Sequence, residues 1–133
     1  MIGWNGLLTE YAEWFDLDGV DEIITLQEGN TPLIRANRLS EKLEADIWLK
    51  YEGLNPSGSF KDRGMTMAIT KAKANGAKTV ICGSTGNTSA AAAAYAGKAG
   101  MDCVVARRSP YRPCRRTPAR PVWTASCSYP RAG

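Results

Sequence analysis

The chain has 133 residues, 44% of them hydrophobic and 23% charged, a balance suited to one soluble globular core. It contains no histidine, which excludes a Ser-His-Asp triad, a Cys-His pair or a His-containing zinc site within this chain; lysines, carboxylates and hydroxyls must carry any proton transfer. The net charge of +4 is divided unevenly: residues 1–105 hold all thirteen acids against ten Lys and Arg, a net of −3, whereas residues 106–133 hold seven Arg, no Lys and no acid.

Met1 to Asp21 mixes Trp4, Trp14 and Phe15 with Glu10, Glu13 and Asp16, unlike the basic start and apolar run of a signal peptide. No apolar run approaches membrane-spanning length, so the expectation is a soluble, cytoplasmic chain. Leu7, Leu8, Tyr11, Trp14 and Phe15 recur at helical spacing and predict an amphipathic helix over Trp4–Phe15, ended by Asp16 to Gly19. Glu22–Leu26 reads as a short extended run entering a shaped loop, Glu28-Gly29-Asn30-Thr31-Pro32-Leu33, in which Gly and Pro prevent a continuous helix. A second short helix fits Asn37–Leu43.

Asp46–Glu52 alternates Ile47, Leu49 and Tyr51 with Trp48 and Lys50, the pattern of a strand exposed on one face. Asn55-Pro56-Ser57-Gly58-Ser59-Phe60-Lys61-Asp62-Arg63-Gly64 follows, a turn leading into a helix. Ser59 is placed to cap that helix, and Asp62 to reach back to an orphan backbone donor. The partial positive charge of a helix N-terminus favours a neutral amine or an imine over an ammonium at Lys61, which suits Schiff-base chemistry. Taken by itself, the decapeptide favours the plainer reading of a solvated surface lysine. Met65, Ala68, Ile69 and Ala72 continue the helix, and Asn75-Gly76 ends it.

Lys78–Cys82 reads as a strand, Ala90–Lys98 as an alanine-rich helix able to pack closely on a sheet, and Met101–Val105 as another strand. Cys82 and Cys103 fall in these strands as small hydrophobes; Cys114 and Cys127 stand far apart, and no disulfide frame or metal site is expected. The alternation predicts an α/β unit with parallel strands and crossover helices, ligands gathering at the carboxyl edge. Between strand and helix, Ser84 to Ser89 offers helix N-terminal N–H groups, the hydroxyls of Ser84, Thr85, Thr88 and Ser89, and the Asn87 amide. That set suits a carboxylate or phosphate, and equally a plain helix cap. It matches neither the dinucleotide fingerprint nor a P-loop.

Three blocks, Leu26-Gln-Glu-Gly-Asn-Thr-Pro-Leu-Ile34, Lys50-Tyr-Glu-Gly-Leu-Asn-Pro-Ser-Gly-Ser-Phe-Lys-Asp-Arg-Gly-Met65 and Ser84-Thr-Gly-Asn-Thr-Ser-Ala90, resemble the threonine synthases, pyridoxal-phosphate enzymes of the tryptophan-synthase-β-like group (fold type II). The middle block is the most specific. The resemblance implies a partial fold type II unit, pyridoxal 5'-phosphate held by Lys61 as a Schiff base, Asn87 hydrogen-bonded to the cofactor's phenolate oxygen, and Ser84, Thr85 and Thr88 on the substrate carboxylate. It implies the conversion of O-phosphohomoserine and water into threonine and phosphate by a homodimeric parent. A related lyase such as a threonine dehydratase is the alternative reading.

The likeness spans Leu26 to Val105 and then breaks. A Pro-x-Gly-Lys loop, a Gly-rich phosphate loop and a hydroxyl partner for the pyridine nitrogen are missing, and an Arg/Pro-rich stretch begins at Ala106, with a composition expected to be disordered. Residues 1–105 are therefore read as the N-terminal portion of such an enzyme, and residues 106–133 as an unrelated tail of the kind a frameshift near codon 105 produces. On this reading the chain alone is expected to be inactive. A binding fragment using its seven arginines on nucleic acid or an acidic surface is the disfavoured alternative, because Tyr111, Trp123 and Tyr129 are too scattered for a stacking platform.

Overall fold

A computed structural model describes residues 3–84 and 86–106. Thr85, the whole Arg-rich stretch from Arg107 onward, and with it Cys114 and Cys127, lie outside the described residues. The chain order is helix α1 (Leu7–Glu10), a 3-10 turn (Ala12–Trp14), strand β1 (Leu33–Arg35), α2 (Asn37–Leu43), β2 (Trp48–Lys50), a second 3-10 turn (Glu52–Leu54), α3 (Lys61–Ala74), β3 (Thr79–Cys82), α4 (Asn87–Ala99) and β4 (Asp102–Val105).

Helix α3 forms where Met65, Ile69 and Ala72 recur at helical spacing, and that stripe packs on α4. It ends as its sequence predicts. Gly76 takes φ +75°, its N–H bonds to the Lys73 carbonyl at 2.9 Å, and the Ala77 N–H returns to the Ala72 carbonyl at 3.0 Å, a Schellman closure that positive φ makes easiest for glycine. Helix α4 buries Ala91, Ala92, Tyr95, Ala96 and Ala99. The small side chains of the four alanines let its backbone lie close to α3 and to the β3–β4 pair. Those two strands are parallel, in register Thr79↔Asp102 through Cys82↔Val105, with α4 as the crossover. Ile24, Ile69, Tyr95, Ala96, Ala99 and Met101 form the buried cluster. Cys82 and Cys103 are free thiols on neighbouring strands, and burial pushes the Cys103 thiol up.

Three features differ from expectation. The predicted N-terminal helix is cut to one α-turn and one 3-10 turn, only Leu8 of its apolar set is buried, and Trp14 is 76% exposed. Trp4 leaves the helical line to donate from Nε1 to the Glu28 carbonyl at 2.9 Å, its ring edge-on to Tyr11. Tertiary bonding thus overrides the local spacing. Second, Glu22–Leu26 forms no strand. Ile24 is instead pinned to α3: its N–H donates to Thr70 Oγ1 at 2.9 Å and its carbonyl accepts from Thr66 Oγ1 at 2.8 Å.

Third, β2 does not join β3 and β4 in one parallel sheet. It pairs antiparallel with β1, in register Leu33↔Lys50, Ile34↔Leu49 and Arg35↔Trp48. Pro32 conceals β1 in the sequence, yet as the residue before the strand it loses no ladder donor, and its carbonyl accepts the Tyr51 N–H at 3.0 Å. Alternation along β2 does not give one buried face, because Trp48, Leu49 and Tyr51 are all about half exposed. With Leu33, Ile34, Leu54, Phe60 and Ile81 also exposed, apolar surface stands open on both strand pairs. Among the described residues, no helix is long and apolar enough to cross a membrane.

Candidate functional site

The lysine loop is built by two carboxylates. Asn55 opens it, fully inside: Oδ1 accepts the Gly29 N–H at 2.9 Å, Nδ2 donates to the Glu52 carbonyl and to Glu52 Oε2 at 2.9 Å each, and the Asn55 carbonyl accepts the Gly58 N–H at 2.8 Å. Asp62, fully buried, accepts the Ser57 N–H at 3.1 Å and the Ser57 hydroxyl. The expected back-reach of Asp62 is therefore present, with Ser57 as its donor. Ser59 acts one position earlier than a cap, accepting the Lys61 N–H at 3.3 Å. Together these bonds fix the backbone on both sides of Lys61, the first residue of α3.

Arg63 locks the loop from outside. Its Nε and Nη2 grip the two Glu52 carboxylate oxygens at 2.7 and 2.8 Å, and Nη2 also reaches Thr31 Oγ1 at 3.2 Å. Thr31 Oγ1 donates to Glu52 Oε1 at 2.7 Å, and Lys50 Nζ donates to the Thr31 carbonyl. The Arg63 guanidinium holds the Glu52 carboxyl down to about 2, with Thr31 and Asn55 assisting against the cost of burial. Loop 28–31 is thereby sewn to the lysine loop.

Lys61 itself is half-buried, its Nζ 4.7 Å from the centroid of the Phe60 ring. Among the described residues, no carboxylate pairs with it. Asn87, exposed, is the first residue of α4; Ser84 and Thr88 flank it, each partly buried. The Ser84 hydroxyl accepts the Gly86 N–H at 3.3 Å, and the Ser89 hydroxyl donates to the Gly86 carbonyl at 2.7 Å, so part of the predicted hydroxyl set serves its own turn. Lys61 and Asn87 thus begin two helices that pack on one another, and among the described residues no hydrogen bond joins them. An open hollow of about 290 Å³ lies elsewhere, between Arg35, Ser40, Glu41, Glu44, Ala45 and Asp46, and none of the candidate residues lines it.

Sequence reasoning missed the polar interior: Glu28, Thr66, Thr70 and Tyr95 are all fully buried. Two signals were available. Tyr95 is the one large side chain in an alanine run, and Glu28 opens the Gly-Asn-Thr-Pro loop. Gly29 was readable as a turn glycine, but its reason is tertiary: at φ +96°, an added Cβ would stand 2.6 Å from Trp4 Cζ2. Gly29→Ala should therefore cost about 1–3 kcal/mol, read as a lowered urea midpoint with unchanged slope.

The residues present suit pyridoxal phosphate in kind: an amine without a carboxylate partner among the described residues, and an amide and hydroxyls at the N-terminus of a 13-residue helix. Comparison with known proteins agrees. The pyridoxal-phosphate dependent enzyme family matches residues 24–118. The chain is 55% identical over 105 residues to a threonine synthase of Halalkalibacterium halodurans, covering 79% of this chain and 30% of that protein. It is 56% identical over 104 residues to one of Synechocystis, covering 77% and 27%, and 56% identical over 102 residues to one of Mycobacterium leprae, covering 77% and 28%. The chain thus spans less than a third of the length of these relatives. A match covering most of the chain, and taking in both the lysine loop and the Ser84–Ser89 turn, establishes that the chain belongs to the pyridoxal-phosphate dependent enzyme family.

Proposed function

We propose that residues 1–105 carry the lysine-bearing portion of a threonine synthase site, for which O-phosphohomoserine is the substrate and threonine and phosphate the products. The observation carrying this reading is Lys61, held at the start of α3 by Asn55, Ser57, Ser59 and Asp62, in a chain similar to threonine synthases. Bound pyridoxal phosphate supplies a conjugated ring that stabilises carbanions. Lys61 would hold that ring through its amine, and the same amine, when free, would take and return protons for a reaction in which phosphate leaves the γ-carbon and water adds at the β-carbon. Asn87 would donate to the ring's phenolate oxygen, while Ser84, Thr85 and Thr88, with the N–H groups opening α4, would hold the substrate carboxylate. Cytoplasmic location and a homodimeric parent belong to the same reading.

Spectral titration tests the substrate. The full chain loaded with pyridoxal phosphate should change its absorption on adding O-phosphohomoserine at concentrations at least about tenfold below those at which serine acts. An absorption change with threonine, and none with O-phosphohomoserine, would instead favour a dehydratase.

A further inference from the structure

Glu28 and Tyr95 have no part in the chemistry just described, yet both are fully buried and joined by a hydrogen bond, Tyr95 Oη to Glu28 Oε2 at 2.9 Å. Glu28 is a hub. Its carboxylate also accepts the Leu7 N–H at 3.2 Å, the Leu26 N–H at 3.1 Å and the Thr25 hydroxyl at 2.9 Å. The next residue, Gly29, donates its N–H to Asn55 Oδ1 at 2.9 Å, and the Asn55 carbonyl in turn fixes Gly58. A continuous path of bonds therefore runs from Tyr95, two turns into α4, through Glu28 and Gly29, to the turn that presents Lys61.

We propose that the Tyr95–Glu28 hydrogen bond is a positioning contact that sets α4, and with it Asn87 and its flanking hydroxyls, against the lysine loop. The physical reason lies in the composition of α4. Alanines pack closely but without features that fix how far the helix slides or turns, and one long side chain ending in a directional bond to a braced carboxylate removes that freedom. Burial, then the carboxylates of Glu28 and Asp62, push the Tyr95 hydroxyl well above the ordinary phenol range, which favours its donor form. As a link between Lys61 and Asn87 the contact rests on the proposed pyridoxal-phosphate reading; as a brace on the lysine loop it does not.

The test compares the full chain with Tyr95→Phe, which deletes only the hydroxyl, and with Thr66→Val, which deletes an equally buried hydrogen bond from α3 to Ile24. Hydrogen exchange without cofactor, at denaturant concentrations giving equal global stability, should show the Gly29 and Gly58 amides exchanging about tenfold faster in Tyr95→Phe and unchanged in Thr66→Val. Pyridoxal phosphate should also bind about tenfold more weakly to Tyr95→Phe alone. Exchange at Gly29 and Gly58 that moves no further in Tyr95→Phe than in Thr66→Val overturns the proposal. If the unmodified chain takes up no pyridoxal phosphate at Lys61, the functional reading fails while the exchange comparison still decides the brace. Should Tyr95→Phe not fold, Tyr95→Met is read the same way, since a flexible side chain refills the space without restoring the donor.

Discussion

Treated with pyridoxal phosphate and then borohydride, the full chain should carry its covalent label on Lys61, at least about tenfold above any other lysine. The contrast follows from what surrounds the seven lysines. Lys71 lies 3.5 Å from Asp16 Oδ2, Lys73 lies 2.8 Å from Glu22 Oε2, and Lys50 donates to the Thr31 carbonyl. Lys42, Lys78 and Lys98 are exposed. Lys61 alone combines an amine without a carboxylate partner among the described residues, a backbone fixed on both sides, and a helix packed against the one that Asn87 opens. Lys61→Ala and Lys61→Arg should both lose the label, the second because a guanidinium keeps the charge without the nucleophile. Peptide mapping reads the result, and even labelling of the exposed lysines would remove Lys61 from its assigned role.

Acid should loosen the lysine loop through Glu52. Its carboxyl is held down to about 2 from the ordinary 4.5, first by Arg63, so the folded state favours the charged form. Stability from this contact is therefore fully present above about pH 4.5 and is lost as pH falls towards 2. A quarter of the Glu52 side chain meets water, which tempers the loss to the order of 1–3 kcal/mol. Asp16 is lowered by the Asp18 amide and then Lys71, and Glu22 by Lys73, but both are surface groups, so the comparison to make is with Glu52→Gln. Urea unfolding from about pH 6 to about pH 3 should fall more steeply in the wild type than in Glu52→Gln. Arg63→Ala, which leaves the Glu52 carboxylate to Thr31 and Asn55, should cost about 2–3 kcal/mol at neutral pH. Parallel slopes in the wild type and Glu52→Gln would show that the clamp contributes nothing.

What the sequence determined by itself is local. Asn37–Leu43 was legible to the residue, α3 and its Asn75-Gly76 stop were legible from spacing and cap chemistry, and the β3–α4–β4 unit was legible because strand and helix patterns alternate with loops between them. Lys61 at a helix start was likewise readable, since turn and cap residues act over a few positions, whereas α4 begins at Asn87, three residues before the predicted Ala90. The tertiary structure decided everything that depends on partners distant in the chain. It split the predicted N-terminal helix by giving Trp4 and Leu7 better bonds at Glu28, and paired β2 with a strand that Pro32 had concealed. It also turned Glu28, Glu52 and Tyr95 into the frame of the lysine loop. The sequence marked Tyr95 and Glu28 as unusual but not as partners, because a buried carboxylate or phenol is tolerated only when donors or acceptors arrive from elsewhere in the chain, here across separations of up to 67 residues.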